Sequence, residues 1–415
     1  MIDVFQKNVS TIFIFDHFGN QGIKMGQAYI IAATRTVNGL SNGIISSFIP
    51  SELLSFVFNS LIIKTKCDPK FIERVLIGFV NHPNSNIKKI INDALAHSIL
   101  SPQQLINRLE YQHNTAQQTL HYAAQIVMSE THDIVIASGV ENHLSCDQQM
   151  WIPNHANKST FYLKDTALDQ NAHMLSVKQL SYAMELLKKY RLNRDLLDYY
   201  SFNSHFKALN AWQENKFEAE IIPMLHNFKN SYAPHMRIQD ESIIEYMSWS
   251  FFTKSPTILP DIPMTSKHIS SNAYGASGLI IVNDRGLKLL KTPPIARILY
   301  MNSLQSNHNE IDANIFFATQ NALEKTGLTI NQIDLYEMNE VFTPLPLAWL
   351  SVLGADPDRL NIHGGTLALG ESCGSISTRM MMTLCHALIT TQARYGMQIQ
   401  YDKKDCIQIT IIEKV

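Results

Sequence analysis

The feature that most constrains the fold is an alternation of short apolar strands with helices that occurs twice along the chain. A helix pattern at 51–64, with apolar residues every three or four positions, stands between strand patterns at 27–32 and 72–80. The alternation restarts with a strand at 295–300 and a helix at 311–327. Because helices that alternate with short strands typically cover a central sheet, two α/β halves are predicted.

The remaining elements continue this alternation. They are a helix at 115–129, a strand at 133–138 that Gly139 closes, strands at 274–283 and 333–338, a helix that begins at Thr343 and a final strand from Ile407 to Ile412. The Thr343 hydroxyl can act as an N-cap, and Pro344 suits the first helical position because no N–H is needed there.

The stretch 149–246 differs from the rest of the chain. It is rich in Tyr, Asn, Lys and His, and its patterns are mostly helical, so it is interpreted as an insertion over the α/β body. The expected organisation is an N-terminal extension at 1–24, a first half at 25–148 and 247–287, a helical loop domain at 149–246 and a second half at 288–415.

Composition excludes several classes of protein. The chain has 415 residues and a formal net charge of −2, which argues against a nucleic acid partner. No apolar run reaches the roughly 18 residues of a membrane span, and the first residues do not resemble a signal peptide. Five sparse cysteines argue against a disulfide framework, and the 16 histidines show no metal-binding spacing. A cytoplasmic protein without a metal is therefore predicted.

Five segments, in this order and spacing, resemble the thiolase family over nearly the whole chain from about residue 25. They are 28–38 (AYIIAATRTVN), 133–141 (DIVIASGVE), 192–223, 322–342 (ALEKTGLTINQIDLYEMNEVF) and 361–379 (NIHGGTLALGESCGSISTR). The resemblance implies a five-layer αβαβα fold of two similar halves, each with a mixed sheet. It also implies a mostly helical loop domain, inserted in the first half, that shapes a coenzyme A site, and an assembly into homodimers or dimers of dimers.

The family's chemistry needs four groups. A cysteine thiolate at a helix N-terminus is the nucleophile, and a histidine from a Gly-His-Pro motif activates it. A second cysteine near the C-terminus acts as acid and base. The asparagine of an Asn-Glu-Ala-Phe box orients a water that helps to hold an oxyanion.

The nucleophile position holds no cysteine here, because none occurs between Cys67 and Cys146. Counting back from Gly139 without gaps places His113 there. Counting forward from 107–109 (NRL), which resemble the residues before the family's cysteine, places Glu110 there. Both alternatives stay open.

Two further motifs also depart from the family. The Gly-His-Pro motif is Gly370-Glu371-Ser372, so a carboxylate replaces the imidazole, and Cys373 two positions on is expected to be a packed small residue. At the C-terminal cysteine the count gives Tyr401 or Asp402, followed by Lys403, Lys404 and Asp405 in place of the family's glycines. Cys406 is expected to begin a strand.

Other positions match the family. Asn339 stands in its box with Glu340 and Phe342, as a catalytic residue or as a satisfied turn residue with equal weight. The segment from Ser270 to Gly275 resembles a substrate turn, so Ser271, Asn272 and Gly370 are the candidate substrate-binding residues. Coenzyme A or an acyl-CoA is a possible ligand, and no other cofactor is required.

The missing motif residues lead to a prediction about activity. The chain is expected to be a thiolase-like pseudoenzyme, a non-catalytic or regulatory partner in acyl-thioester and lipid metabolism that binds another acyl-thioester enzyme. The alternative is an enzyme with changed chemistry, acyl transfer, hydrolysis or decarboxylation, that uses a His113–Glu371 pair. A third reading keeps the family's activity with a relocated thiol, Cys373 or Cys406.

Overall fold

The computed structural model describes residues 26–40, 43–79, 86–100, 105–110, 115–141, 160–163, 173–226, 235–237, 239–305, 311–401 and 406–415. The predicted extension at 1–24 lies outside these residues, as do His113, Cys146 and Asp402.

Helices and strands alternate through both parts of the described chain. The strands are β1 (Tyr29–Arg35), β2 (Arg74–Phe79), β3 (Leu105–Glu110), β4 (Ile134–Glu141), β5 (Thr160–Leu163), β6 (His173–Ser176), β7 (Met224–His226), β8 (His235–Arg237), β9 (Thr257–Leu259), β10 (Ile262–Thr265), β11 (Gly275–Val282), β12 (Ala296–Gln305), β13 (Leu335–Met338), β14 (Tyr395–Tyr401) and β15 (Cys406–Lys414). The α-helices are α1 (Pro50–Thr65), α2 (Ile87–Ala96), α3 (Thr115–Met128), α4 (Val177–Lys189), α5 (Arg194–Gln213), α6 (Trp249–Thr253), α7 (Asp284–Leu290), α8 (Ile311–Thr326), α9 (Pro344–Leu353), α10 (Thr366–Leu369) and α11 (Ile376–Thr390).

Two mixed sheets form the body of the molecule. In the described residues the strand order is β13-β14-β15-β12-β1-β11-β4-β2-β3. The two halves of this row are joined at β1 and β12 by only two residue pairs, Tyr29 with Arg297 and Ile30 with Ala296. We therefore treat β1-β11-β4-β2-β3 as the first sheet and β12-β15-β14-β13 as the second sheet.

The two sheets repeat one pairing pattern. Along β1-β11-β4-β2 the pairs are antiparallel, antiparallel and parallel. Along β12-β15-β14-β13 they follow the same sequence. Each half thus contains a mixed sheet of the same topology, as the sequence analysis predicted.

Three layers of helices separate and cover the sheets. Helix α1 packs on β1 and β11 outside the first sheet, and α8 packs on β12 and β15 outside the second. Helices α3 and α11 pack against each other, and α11 contacts strands of both sheets. Helices α3 and α11 therefore form a middle layer, and the predicted five-layer αβαβα fold is confirmed.

The middle layer is held by apolar burial between the sheets. Met381, Leu384 and Leu388 of α11 join a buried cluster with Leu120 and Val127 of α3. Each such side chain contributes roughly 1.5–3 kcal/mol when it leaves water. This packing fixes α11 and, with it, the loop that precedes it.

Two local expectations need correction, and a third is confirmed. Gly139 does not close β4 but lies within it. Glycine is needed there because an added Cβ would lie 2.0 Å from the backbone oxygen of Gly374. The Thr343 hydroxyl does not cap α9, since it bonds to Ser201 (3.0 Å) and to the His268 carbonyl (3.3 Å) instead. Pro344 begins α9, as predicted.

The segment predicted as a loop domain contains more strand than expected. Helices α4 and α5 are present, but two short antiparallel pairs, β5 with β6 and β7 with β8, flank them. The bounds proposed for this domain stay a prediction. No helix in the described part of the chain combines the length and hydropathy of a membrane span.

Candidate functional site

The predicted nucleophile region lies where three parallel strands of the first sheet end. Phe79, the last residue of β2, is paired with Glu110 of β3 and Val140 of β4. Helix α3 begins beside them, and the Thr115 hydroxyl donates to the Phe79 carbonyl at 3.0 Å. Glu110 therefore lies at this edge, whereas His113 falls between the described ranges. Which of the two holds the nucleophile position stays a prediction.

The glycine-rich segment before α11 reaches the same edge. The Gly374 N–H donates to the Glu141 carboxylate at 2.9 Å, and Gly139 lets the two backbones approach. The preceding residue, Cys373, is buried with 7% of its surface exposed. From the sequence, Gly139 was expected only to close a strand, and the role of Gly139 and Glu141 in positioning this segment was missed.

Glu371 lies against the candidate substrate turn. Its N–H donates to the Ser271 carbonyl at 2.7 Å, and its carbonyl accepts from Ala273 at 3.0 Å. Gly370 has φ +79°, and an added Cβ would come within 2.5 Å of Ala273. The structure thus brings Ser271, Asn272, Gly370 and Glu371 close together, as a shared site would require. Their roles stay predictions.

The box that contains Asn339 joins this turn. The Ser270 N–H donates to the Val341 carbonyl at 3.2 Å, and the Ser270 hydroxyl donates to Thr366 at 2.9 Å. Three loops, 268–273, 339–343 and 365–375, therefore meet, and we call them the motif loops. The loop 365–375 reaches the edge where β2, β3 and β4 end, through the contact of Gly374 with Glu141 and Gly139.

Asn339 is fully buried and holds the end of β14. Its amide donates to the Tyr401 carbonyl at 2.8 Å and accepts from the Tyr401 N–H at 2.9 Å. These bonds satisfy the Asn339 amide and hold the end of β14 in place. A role in catalysis stays a prediction.

Glu340 is the connection that the sequence analysis missed. Its buried carboxylate accepts hydrogen bonds from Tyr200 and Ser204 of α5 at 2.8 Å each. It also accepts from Asn361 at 2.8 Å and from the Leu367 N–H at 3.1 Å. Glu340 therefore joins α5 to two of the motif loops. The sequence signal for this role was the position of Glu340 next to Asn339 in the family's box.

A triad of half-buried Arg194 with buried Asp198 and His268 docks the start of α5. Both carboxylate oxygens of Asp198 accept from Arg194 Nε, at 2.8 and 2.9 Å, and Asp198 also bonds His268 Nε2 at 2.8 Å. His268 Nδ1 accepts from the Thr265 N–H at 3.0 Å, so Nε2 carries the proton. Burial lowers the His268 pKa, and the bond to Asp198 opposes this in part. The Arg-x-x-x-Asp spacing thus fixes the helix beside a motif loop.

A second ion cluster ties the first strand to the chain that follows α5. Arg35 donates to both oxygens of Asp240, at 2.6 and 2.8 Å, and to Glu220 at 3.2 Å. All three are buried. Burial by itself would lower the Arg35 pKa, but the two carboxylates raise it above its ordinary value.

The C-terminal motif is described in part. The Tyr401 ring is buried, and its centroid lies 6.0 Å from that of Tyr182 and 6.4 Å from that of Phe342. Residues 402–405 are not among those described. Cys406 is half-buried and begins β15, so the expectation that it starts a strand is confirmed.

Two cysteines are held as thiols. Burial raises the pKa of Cys385 to about 12, and burial with the nearby Asp68 raises that of Cys67 to about 11. Neither is a nucleophile near neutral pH. Within the described ranges, no group of three or more His, Cys, Asp or Glu residues is placed to hold a metal ion.

The chain was compared with protein-family models and with known proteins. Residues 28–283 match the family model "Thiolase, N-terminal domain", and residues 292–400 match "Thiolase, C-terminal domain". The chain is 28% identical to steroid 3-ketoacyl-CoA thiolase FadA6 of Mycobacterium tuberculosis, over 95% of this chain and 96% of that protein. It is 26% identical to an acetyl-CoA acetyltransferase of Pseudomonas aeruginosa, over 90% and 95%.

A solved structure shares the fold. Human mitochondrial 3-ketoacyl-CoA thiolase in complex with CoA superposes with a TM-score of 0.79, at 21% identity, over 94% of this chain and 99% of that one.

The prediction of a non-catalytic or regulatory partner is wrong. The relatives that match nearly the whole chain are named as acetyl-CoA acetyltransferases and 3-ketoacyl-CoA thiolases, which are enzymes. The alternative with a His113–Glu371 pair is no better supported by these relatives. The error came from equating three absent motif residues with absent activity.

Proposed function

Because this chain belongs to the thiolase family, we propose that it is an acyltransferase that acts on coenzyme A thioesters. The observation that carries the proposal is that the motif loops meet and that one of them, 365–375, reaches the edge where β2, β3 and β4 end. The names of the relatives, and the CoA bound to the human thiolase of the same fold, support coenzyme A as the ligand.

The thiol that the chemistry needs is proposed to be Cys373. Cys67 and Cys385 have raised pKa values, and Cys373 lies in the glycine-rich motif loop, three residues before α11. The positive end of a helix dipole favours a thiolate. Because the relatives are enzymes, we propose that Cys373 is a nucleophile and not only a packed small residue.

The proposed reaction has two steps. Glu371 takes the proton of the Cys373 thiol, and the thiolate adds to the keto carbon of a 3-ketoacyl-CoA. The bond between that carbon and C2 then breaks, and the electron pair at C2 takes the proton back from Glu371 as acetyl-CoA leaves. The thiol of a second CoA then takes the acyl group from Cys373 and gives its proton to Glu371. Ser271, Asn272 and Gly370 are proposed to contact the thioester. Glu110 or His113 and Asn339 are proposed to complete the site.

The activity is tested by thiolysis. Purified full-length protein is mixed with CoA and a panel of 3-ketoacyl-CoA esters, and loss of the substrate's enolate absorbance is followed. We expect turnover, and an increase in melting temperature when CoA is added. If no member of the panel turns over and CoA gives no stabilisation, the proposal is refuted.

The position of the thiol is tested by trapping. Protein quenched in acid during turnover is digested, and the acylated peptide is identified by mass spectrometry. We expect the acyl group on Cys373 in the wild type and its loss in Cys373→Ala, whereas the buried-cysteine control Cys385→Ala keeps it. An acyl group on another residue would refute the assignment to Cys373 while leaving the acyltransferase proposal intact.

A homodimer is proposed from the open edge of the first sheet. In the described residues β3 pairs with β2 alone, and Asn107 and Arg108 are exposed there. An uncovered edge strand is a template for pairing with another chain. Sedimentation velocity is expected to give twice the 47.1 kDa chain mass, and a monomer at micromolar concentration would contradict this.

We also propose that the protein acts in the cytoplasm and in lipid metabolism.

A further inference from the structure

The second sheet carries two rows of polar side chains on the face toward α3 and α11. By strand register, Glu337, Gln398 and Thr410 form one row. Gln400, Gln408 and Ser303 form the other. Glu337 is 3% exposed, and the glutamines and Thr410 are 0–1% exposed. An interior sheet face is normally apolar, as the opposite face of this sheet is.

These rows contact the middle layer through hydrogen bonds. Gln398 donates to the Ser377 carbonyl at 2.9 Å, and the Ser377 hydroxyl donates to Gln400. From α3, Gln117 donates to Thr410 at 2.7 Å. The two rows and the facing side chains of α3 and α11 are called the polar layer below.

Several atoms of the polar layer find no hydrogen-bond partner among the described residues. Four are acceptor oxygens, which belong to Gln117, Glu337, Gln398 and Gln408. Three are donors, Nε, Nη1 and Nη2 of Arg379, which is 1% exposed. An unsatisfied buried polar group costs about 1–3 kcal/mol, so this many together require an occupant. Internal water, which donates and accepts, suits such a mixed set.

The polar layer reaches the candidate site. Ser377 touches both rows, and it lies in the first turn of α11, directly after the motif loop that holds Glu371. Within that loop the Ser372 and Ser375 hydroxyls are 2.7 Å apart. Gln400 precedes Tyr401, whose backbone Asn339 holds. Hydroxyls and amides thus extend from the motif loops to Glu337.

The charges around Glu337 favour its neutral form. Three cations, Arg35, Lys207 and Arg379, lie in this region. Three carboxylates, Glu220, Asp240 and Glu340, already balance them. A negatively charged Glu337 would be a fourth carboxylate with no fourth cation to balance it. Burial raises the pKa of Glu337 to about 8, while Arg379 and Lys207 oppose the rise and Glu340 and Glu220 add to it.

We propose that the polar layer is a closed, water-filled chamber in which Glu337 holds a proton that exchanges with the candidate site. When the proton leaves, its electron pair stays on the Glu337 carboxylate beside Arg379. The proton passes along the waters and the Ser377 hydroxyl to the Glu371 carboxylate in the motif loops, and the reverse path restores it to Glu337. The first two tests below need no enzymatic activity, so they can fail separately from the acyltransferase proposal.

The first test compares the melting temperatures of wild type and Glu337→Gln from pH 4.5 to 9. The folded pKa is raised above the ordinary 4.5, so between these values the folded protein keeps a proton that the unfolded chain has lost. The contribution of Glu337 to stability should fall as pH rises through this window and level off above about pH 8. Burial lowers the pKa values of His121, His268, His363 and His386, so these histidines act in the opposite direction below pH 6.5, but they do so equally in both variants and cancel in the comparison. Glu337→Gln lacks the titration, so its melting temperature should exceed that of the wild type by a margin that grows to pH 8. A margin independent of pH would overturn the proposal.

The second test is infrared spectroscopy of the folded protein at pH 7. We expect a protonated carboxyl band in the wild type that is absent from Glu337→Gln and shifts when the solvent is changed to D2O. In Arg379→Met the band should persist to higher pH, because a cation that favours the carboxylate is gone. Absence of the band in the wild type, or a band that D2O never shifts, would overturn the chamber.

The third test addresses exchange with the site. In the pH profile of thiolysis, Glu337→Gln should remove an ionisation near pH 8 from kcat and leave KM unchanged. An unaltered pH profile in this variant would overturn the exchange step.

Discussion

Replacing Arg35 with methionine is expected to lower the free energy of unfolding by about 3–5 kcal/mol, the cost of leaving buried charges without their partner. The guanidinium is 1% exposed and satisfies both oxygens of Asp240 together with Glu220. Methionine has a similar length but no charge, so two buried carboxylates would face each other. Urea denaturation monitored by circular dichroism measures the loss.

The control for this prediction is Arg394→Met. Arg394 also binds a glutamate, Glu413, at 2.7 Å, but its side chain is 66% exposed, so water can replace it. Its substitution should change the unfolding midpoint far less. Equal losses in the two variants would show that burial of the Arg35 cluster does not determine its contribution.

Replacing Glu340 with glutamine is expected to cost about 3 kcal/mol of stability, in line with hydrogen bonds to charged groups. Four donors point at this carboxylate, from Tyr200, Ser204, Asn361 and the Leu367 N–H. A glutamine amide would turn an NH2 group toward some of these donors. The motif loops should also loosen, and hydrogen exchange at 365–371 measures that directly.

A neighbouring glutamate gives the matched comparison. Glu337 is equally buried, but its Oε1 accepts no hydrogen bond from the described residues, so Glu337→Gln should be stabilising at pH 7. The two variants make the same chemical change three residues apart with opposite expected signs. Destabilisation by both would contradict the distinction between them.

Much of the fold could be predicted because each half repeats a local pattern. Helices α1, α3 and α8 begin and end within two residues of their predicted limits, since apolar spacing and helix-start signals are local properties. Gly139 shows the limit of such signals. A glycine in a strand pattern suggests an end or a turn, but here it is required by the Gly374 carbonyl, which lies far along the chain.

The site was less predictable because it depends on contacts between distant segments. The segments 28–38 and 192–223, which contain Arg35, Asp198 and Glu220, could be marked from their resemblance to the family, but the groups that these residues bind, such as Asp240 and His268, could not. The prediction of lost activity failed for a related reason. It compared residues at fixed motif positions, whereas the groups available to a substrate are those that meet in space.

The position of α11 late in the chain has a consequence for biosynthesis. This helix covers inner faces of both sheets, yet it begins at Ile376 of 415 residues. A ribosome adding about 5–20 residues per second makes the whole first half well before α11 emerges. Until then the nascent first sheet exposes apolar surface that only the end of the chain can cover. We therefore expect the newly made protein to depend on chaperones, and truncations before α11 to aggregate rather than to fold as a half.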